Sequence, residues 1–202
     1  EAIHVRQSLG FYSATTALYP RLTAKETIEF FMRINKYPAD KVSERLDLLI
    51  ERFNIGDYAD ARVDKLSSGM KQKVAIARTI AHDPPILIFD EPTVGLDPEE
   101  RIRFRQLMSG LGRDRTILLS THIVADLGAG CHELALLDAG RIVFQGAPSK
   151  LLGLAAGQVF EVTATMADAE SIESRYEIVS TSVSGGQVTL RGVADGKQLP
   201  PS

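Results

Sequence analysis

Two short apolar segments, each followed by polar residues, constrain the fold of this chain more than any other feature. Ile86–Phe89 is a continuous apolar run that follows two prolines and precedes Asp90 and Glu91. Thr116–Ser120 is a second run of the same kind. Short runs between turn-forming residues are typical of parallel strands that are buried on both faces. Because a helical pattern that begins near Pro98 separates the two runs, the sequence predicts an α/β fold with right-handed crossovers.

The residues before the first of these strands predict three helices. Thr23–Glu26 has the pattern of a capping box, and the helix after it carries an apolar face of Ile28, Phe30, Phe31 and Ile34. A second helix is expected after Pro38 and a third after Ser67. Val5–Phe11 is predicted to be the start of a strand. We expect residues 20–82, approximately, to form a helical subdomain.

The C-terminal part of the chain changes character. A hairpin is predicted around Asp138–Gly140, where two apolar segments flank a turn. Beyond it, Val159–Ala164 reads as a strand, residues 167–174 as a helix, and residues 176–190 as a second hairpin. We therefore expect two domains, with residues 1–153 forming the larger one and residues 154–202 a small β-α-β-β module that is itself incomplete.

Composition limits the classes of function that the chain can have. The 202 residues are 44% hydrophobic and 24% charged, which is ordinary for a globular protein. The net charge of −3 gives no general basic field for nucleic acid. A single cysteine, Cys131, excludes an internal disulfide framework and fits a reducing compartment. The sequence has neither an apolar run of membrane-spanning length nor a signal peptide, so work at a membrane would require docking on partners.

Asp90 and Glu91 are the first candidates for chemistry. They follow the first buried strand, and the carboxyl ends of parallel strands are where α/β folds place their sites. The first acid can hold Mg²⁺, directly or through water, and the second can orient or deprotonate an attacking water molecule. Taken alone, an acid at this position more often only caps the next helix.

Three motifs in order make the chemical interpretation the better one. Phe89–Thr93 with Gly95–Asp97 resembles the Walker B segment and D-loop of ABC-type ATPases. Leu66–Gln72 resembles that family's signature motif, and Ser120–His122 ends the next strand, where the family has its switch histidine. The resemblance covers approximately residues 5–150. It implies a P-loop NTPase core with a helical subdomain that here lacks its N-terminal part.

The resemblance also implies a role for each matched residue. Glu91 and His122 would be catalytic, and Asp90 would hold Mg²⁺, directly or through water. The signature residues Ser67, Ser68 and Gly69 would bind the ATP that is held mainly by the opposite subunit. Backbone N–H groups at a helix start are suited to this, although an ordinary Ser N-cap is the simpler interpretation of the first serine. Asp97 would communicate across the dimer interface, and it is also suited to cap the helix that begins at Pro98.

Two departures from the family pattern stand out. The phosphate-binding loop, G-x-x-x-x-G-K-[ST] (Walker A), does not occur in the sequence, and Gly196–Lys197 lacks both the earlier glycine and the final hydroxyl residue. In the family this loop precedes the region matched here, so we expect the chain to be part of a longer protein with the loop upstream of Glu1. The expected Q-loop glutamine is Ala14, which cannot coordinate a metal, so either Ser13 or Thr15 substitutes or this contact is weak.

The implied function is ATP hydrolysis that energises export through a separate membrane permease. The segment Leu18–Thr23 and the small C-terminal module resemble ATPases of ABC-2-type exporters, including sodium- and drug-efflux systems. Such a protein would use ATP and Mg²⁺, pair with a second ATPase subunit, and lie at the cytoplasmic face of the membrane, with no nucleic-acid partner. Two alternatives stay open, a catalytically impaired or regulatory ABC subunit and a non-transport ABC ATPase that acts on nucleic acid or the ribosome.

Overall fold

The computed structural model describes residues 2–13, 15–112, 114–127, 130–196 and 200. The chain divides into two compact units, Glu1–Gly130 and Cys131–Ser202. The division comes earlier than the predicted boundary at 153/154. It places the 134–146 hairpin and the helix after it in the same unit as the C-terminal strands. Domain membership of residues 131–153 therefore stays a prediction.

Helices and strands alternate along the first unit, which confirms the α/β class. Its elements are α1 (Ala2–Ser8), β1 (Leu9–Ser13), α2 (Ala24–Ile34), α3 (Val42–Arg52), α4 (Ser68–Ile80), β2 (Ile86–Asp90), α5 (Pro98–Leu111) and β3 (Thr116–Ser120). Short 3₁₀ turns occupy Ala39–Lys41, Gly56–Tyr58, Val63–Lys65 and Val124–Leu127. The elements of the second unit are β4 (Leu134–Asp138), β5 (Arg141–Gly146), α6 (Pro148–Ala155), β6 (Val159–Ala164), α7 (Met166–Glu173), β7 (Glu177–Ser184) and β8 (Gln187–Val193).

The first unit is organised around a parallel sheet in the order β1-β2-β3. The central strand buries Leu87 and Phe89 completely on one face. The Phe89 ring packs edge-on against Phe104 of α5, with 5.8 Å between ring centroids. It also contacts the Tyr12 ring of β1 in a tilted arrangement, with 6.1 Å between centroids. Helices therefore cover this face of the sheet, and the apolar run before Asp90 anchors the strand that carries the acids.

The other face of the same sheet is not buried, contrary to the expectation from the apolar run. Phe11, Ile88 and Leu118 form one row across the three strands. Phe11 is 52% exposed and Leu118 is 62% exposed. The prediction that Ile86–Phe89 is buried on both faces is thus wrong in this structure. The reason is that α4 and α5 pack on the Leu87 face, and an apolar run by itself does not tell how many faces are covered.

The N-terminal segment also differs from its prediction. Val5–Phe11 was expected to be a strand, but α1 extends to Ser8 and β1 begins only at Leu9. The parallel register pairs Leu9 with Ile86. An earlier start would pair residues 7 and 8 with Pro84 and Pro85, which have no N–H groups to donate to a neighbouring strand. The prolines before β2 therefore limit the length of β1.

Helix α4 crosses the sheet at a glycine. A Cβ atom on Gly10 would lie 2.5 Å from the Thr79 carbonyl oxygen and 2.7 Å from Leu87 Cδ2. Only glycine permits this approach. The C-terminal half of α4 is consequently almost fully buried between β1 and α2, with Val74, Ala77 and Ile80 inaccessible to solvent. This packing fixes the position of the N-terminal end of α4.

The capping box at the start of α2 is present as predicted. The Glu26 N–H donates to Thr23 Oγ1 at 3.1 Å, and the Thr23 N–H donates to Glu26 Oε2 at 2.8 Å. The face that is buried differs in part from the predicted one: Ile28 and Met32 are fully buried, whereas Ile34 is exposed. Ile34 does not share the helix face of Ile28 and Met32, so the last apolar position of the pattern stays outside the core.

Replacing Thr23 by alanine is expected to lower the free energy of unfolding by about 1 kcal/mol, because it leaves helix N–H groups without their side-chain acceptor. The matched control is Ser43→Ala, at an exposed position in the first turn of α3 that caps nothing. It is expected to change stability by less than about 0.5 kcal/mol. Urea unfolding followed by circular dichroism measures both. Equal effects of the two substitutions would contradict the capping role.

The second unit contains the β-α-β-β module that the sequence predicted. Strands β6, β8 and β7 form an antiparallel sheet in that spatial order, and α7 packs on it over Ala169, Val188 and Leu190. The predicted hairpin turn is also present: Ala139 and Gly140 join β4 to β5 and both have positive φ, 45° and 77°. Two consecutive positive values are typical of a tight two-residue hairpin loop.

Within the residues that the structure describes, none of the helices combines the length and the apolar composition that crossing a membrane requires.

Candidate functional site

Two acids lie at the carboxyl edge of the parallel sheet. Asp90 is the last residue of β2, and Glu91 follows it with φ of 48°, in the left-handed region that non-glycine residues rarely occupy. The Glu91 N–H donates to the Ser120 carbonyl oxygen at 3.1 Å and contacts Ser120 Oγ at 3.2 Å. These bonds to the neighbouring strand hold the strained backbone, which turns the Glu91 side chain away from the direction of the strand.

The structure brings the two predicted catalytic residues together. Glu91 Oε1 lies 2.9 Å from His122 Nδ1. The second carboxylate oxygen, Oε2, is buried and accepts no hydrogen bond within the described part of the chain. A buried carboxylate oxygen without a donor is costly, so this atom requires a donor such as a water molecule. Glu91 therefore has one oxygen held by the imidazole and the other enclosed by protein atoms.

Asp90 is held by the same strand end. Ser120 Oγ donates a hydrogen bond to Asp90 Oδ1 at 2.5 Å, and the two residues are direct partners in the parallel register. The Asp90 side chain is exposed. Within the described residues no three His, Cys, Asp or Glu side chains converge as a metal site. One exposed carboxylate still fits Mg²⁺, because proteins usually bind this ion through one or two carboxylates together with substrate phosphates and water.

The signature residues lie at the start of α4. Ser67 is the N-cap, and its Oγ accepts from the Met70 N–H at 3.3 Å, so the structural role of this serine is present. Ser68 and Gly69 form the first turn, whose N–H groups have no partners within the helix. A Cβ on Gly69 would lie 3.3 Å from Glu100 Oε2. The first turn of α4 is thus a polar helix end suited to an anion, with a carboxylate of α5 beside it.

The signature helix and the acids are connected through a side chain that the sequence did not single out for this role. Gln72, one turn into α4, donates a hydrogen bond from Nε2 to the Pro92 carbonyl oxygen, immediately after Glu91. It also bonds to Tyr12, whose pKa is raised by burial.

Asp97 caps α5 as the sequence suggested, with Oδ1 accepting from the Glu100 N–H at 2.8 Å. Its role in dimer communication stays a prediction.

Ala14, at the Q-loop position, lies outside the described residues. The neighbouring residue, Ser13, ends β1 and is paired in register with Asp90, so it belongs to the same sheet edge. Its Oγ lies 3.0 Å from Thr15 Oγ1. Sequence reasoning also missed Ser120, Thr93 and Asp126, which support the acids and the histidine. Only the first had a usable signal, its position at the end of a strand next to Asp90.

Comparison with known proteins shows which proteins this chain resembles. Residues 1–94 match the family model described as ABC transporter. The ABC transporter ATP-binding protein NatA of Bacillus subtilis is 40% identical over 149 residues, which are 73% of this chain and 61% of that protein. The Nod factor export ATP-binding protein I of Burkholderia pseudomallei is 37% identical over 152 residues, 75% of this chain and 50% of that protein. The chain therefore spans between half and about three fifths of these curated relatives.

A solved structure gives the same result at the level of the fold. The dimeric post-hydrolysis state of an ATP-binding cassette with ADP and Pi superposes with a TM-score of 0.65 at 25% identity, over 72% of this chain and 65% of that one. The expected P-loop NTPase fold and the family resemblance are thereby confirmed. Residues 1–94 match the ABC transporter family, and about three quarters of the chain is similar to ATP-binding proteins of that family.

Proposed function

We propose that the protein containing this chain hydrolyses ATP and energises export through a separate membrane permease. One observation carries the proposal: Glu91 Oε1 lies 2.9 Å from His122 Nδ1. This pair stands beside Asp90 at the carboxyl edge of a parallel sheet, in a domain whose relatives are ATP-binding subunits.

Each polar residue at the sheet edge has a defined task in the proposed reaction. The Glu91 carboxylate accepts a proton from the attacking water and orients that water. In its protonated form, which has an N–H on each ring nitrogen, His122 would keep Oε1 in place through Nδ1 and donate to the phosphate end of the substrate through Nε2. Asp90, oriented by Ser120, would hold Mg²⁺, which neutralises charge on the phosphates when it is bound. The strained backbone of Glu91 is consistent with a side chain that is held for chemistry.

A second copy of the domain completes the proposed site. Ser67, Ser68 and Gly69 of each copy would contact the ATP of the other copy through backbone N–H groups at the start of α4. Asp97, at the start of α5, would lie at the interface. The solved ATP-binding cassette cited above is dimeric, which supports this arrangement.

The relatives support export as the direction of transport. One relative is described as a Nod factor export protein, which supports export. A membrane-embedded partner is required for transport, so we place the protein at the cytoplasmic face of the membrane, bound to a permease. The transported substrate would be selected largely by that permease.

The test is phosphate release by the purified gene product that contains this sequence. With MgATP we expect steady release, and with EDTA none. Reconstitution with the membrane protein encoded beside it should raise the rate. Tight nucleotide binding without any phosphate release, alone or with the permease, would contradict hydrolysis and favour a regulatory subunit. Stimulation by RNA or ribosomes, but not by the permease, would favour a non-transport ATPase.

A further inference from the structure

We propose that Asp126 is a positioning residue, which holds His122 against Glu91 through a buried hydrogen bond to Thr93. This inference rests on the proposed function, because it concerns the geometry of the same pair. Thr93 is the last residue of the Walker B segment and Asp126 follows the switch histidine, and neither has a catalytic role in the proposed reaction.

The contact between His122 and Glu91 needs support from elsewhere. The His122 side chain is 70% exposed, so burial of the ring does not fix its orientation. A freely rotating imidazole on a mobile loop would lose the 2.9 Å contact to Glu91. The position of the ring is therefore set by the backbone of the segment that follows β3.

That segment is folded back on itself. The Ile123 N–H donates to Thr121 Oγ1 at 3.0 Å, and the Asp126 N–H donates to the Ile123 carbonyl oxygen at 2.9 Å. A 3₁₀ turn follows over Val124–Leu127. These local bonds shape the loop, but they do not connect it to the strand that carries Glu91.

Asp126 makes that connection. Its side chain is 95% buried, with 5% exposed, and Thr93 is completely buried. Thr93 Oγ1 donates a hydrogen bond to Asp126 Oδ2, and Thr121 Oγ1 lies 3.4 Å from the same oxygen. Hydrogen bonds from hydroxyl groups to a buried carboxylate are among the stronger ones in proteins. The bond ties the loop of His122 to the loop of Glu91, two residues beyond the acid.

The Thr93 side of the connection is equally well fixed. The Thr93 carbonyl oxygen accepts from the Leu96 N–H at 3.1 Å, and the Val94 N–H approaches the Glu91 carbonyl oxygen at 3.4 Å. Residues 91–96 thus form a compact turn. Moving the Asp126 loop away from this turn would move His122 without disturbing Glu91, which is held independently by Ser120.

The test is a double-mutant cycle on the purified gene product. Thr93→Val removes the hydroxyl at nearly constant volume, and we expect turnover of MgATP to fall about tenfold, with KM for ATP changed less than twofold. Thr93→Ser retains the hydroxyl and should restore most of the turnover. In a His122→Ala background, Thr93→Val should have no further effect, because residues that act through one another are not additive.

Three results would overturn the proposal: unchanged turnover in Thr93→Val, an equal further loss in the His122→Ala background, or no rescue by serine. A purely structural role predicts the second of these. If Thr93→Val is not folded at the assay temperature, Thr93→Ala replaces it in the same cycle. Glu91→Gln separates the two hypotheses: full turnover in that variant contradicts the proposed function, whereas blocked turnover with an unaffected Thr93→Val contradicts only the role of Asp126.

Discussion

Replacing Glu91 by glutamine is expected to lower the steady-state rate of ATP hydrolysis by about 10²- to 10⁴-fold, the range for loss of a general base. Glutamine has nearly the same shape and keeps an oxygen that can accept a hydrogen bond from His122, 2.9 Å away in the native pair. It cannot accept a proton from water. Binding of MgATP, measured by fluorescence titration, should therefore stay within about threefold of wild type, because the general base is not needed until the chemical step.

The control for this prediction is Glu44→Gln, which removes the same charge from an exposed position on α3. It should hydrolyse ATP at the wild-type rate. Equal rates for Glu91→Gln and wild type would mean that another residue activates the water. A loss of nucleotide binding in Glu91→Gln would mean that this side chain holds the substrate.

Replacing His122 by alanine is expected to cause the second large loss of ATP turnover. The histidine contacts Glu91 Oε1 and faces the edge of the sheet where phosphate would lie, so its loss removes both the orientation of the acid and a donor to developing charge. We expect turnover to fall by about 10²- to 10³-fold, as for the loss of one donor to a charged transition state. His122 is largely exposed, so the melting temperature should not change.

His132→Ala is the matched control, because His132 is also exposed and lies in the second unit. Its turnover should equal that of wild type. If His122→Ala retained full turnover, the contact to Glu91 would be structural only. If it unfolded the protein, the loop after β3 would depend on the ring, contrary to the support assigned to Asp126.

Most of the α/β framework could be predicted from local patterns. The run before Asp90, the helix after Asp97 and the second run before His122 lie where the sequence places them. The start of β1 was not predictable from Val5–Phe11 alone, since it depends on which residues of the neighbouring strand can donate. The exposed row of Phe11 and Leu118 was missed for a related reason: hydrophobicity shows that a strand is apolar, and tertiary packing decides which faces are covered.

The candidate site could be predicted only in part. The family resemblance implied that Glu91 and His122 are catalytic residues of one site, and the structure places them 2.9 Å apart. The supporting bonds could not be found in this way. Asp126 and Thr93 are 33 positions apart, and neither position has a pattern that distinguishes a buried hydrogen bond from an exposed polar residue. The contact of Gln72 with Pro92 likewise depends on the packing of α4 against the sheet.

The most direct test of the central claim is the identity of the nucleotide that the Glu91→Gln protein retains after incubation with MgATP and rapid removal of free nucleotide. Chromatography of the released nucleotide distinguishes ATP from ADP. If Glu91 activates the attacking water, the variant will hold ATP, at one molecule per chain in a closed dimer, while wild type will hold ADP or nothing. Retention of ADP by Glu91→Gln, with phosphate released at the wild-type rate, would contradict the assignment of Glu91 as the residue that drives hydrolysis.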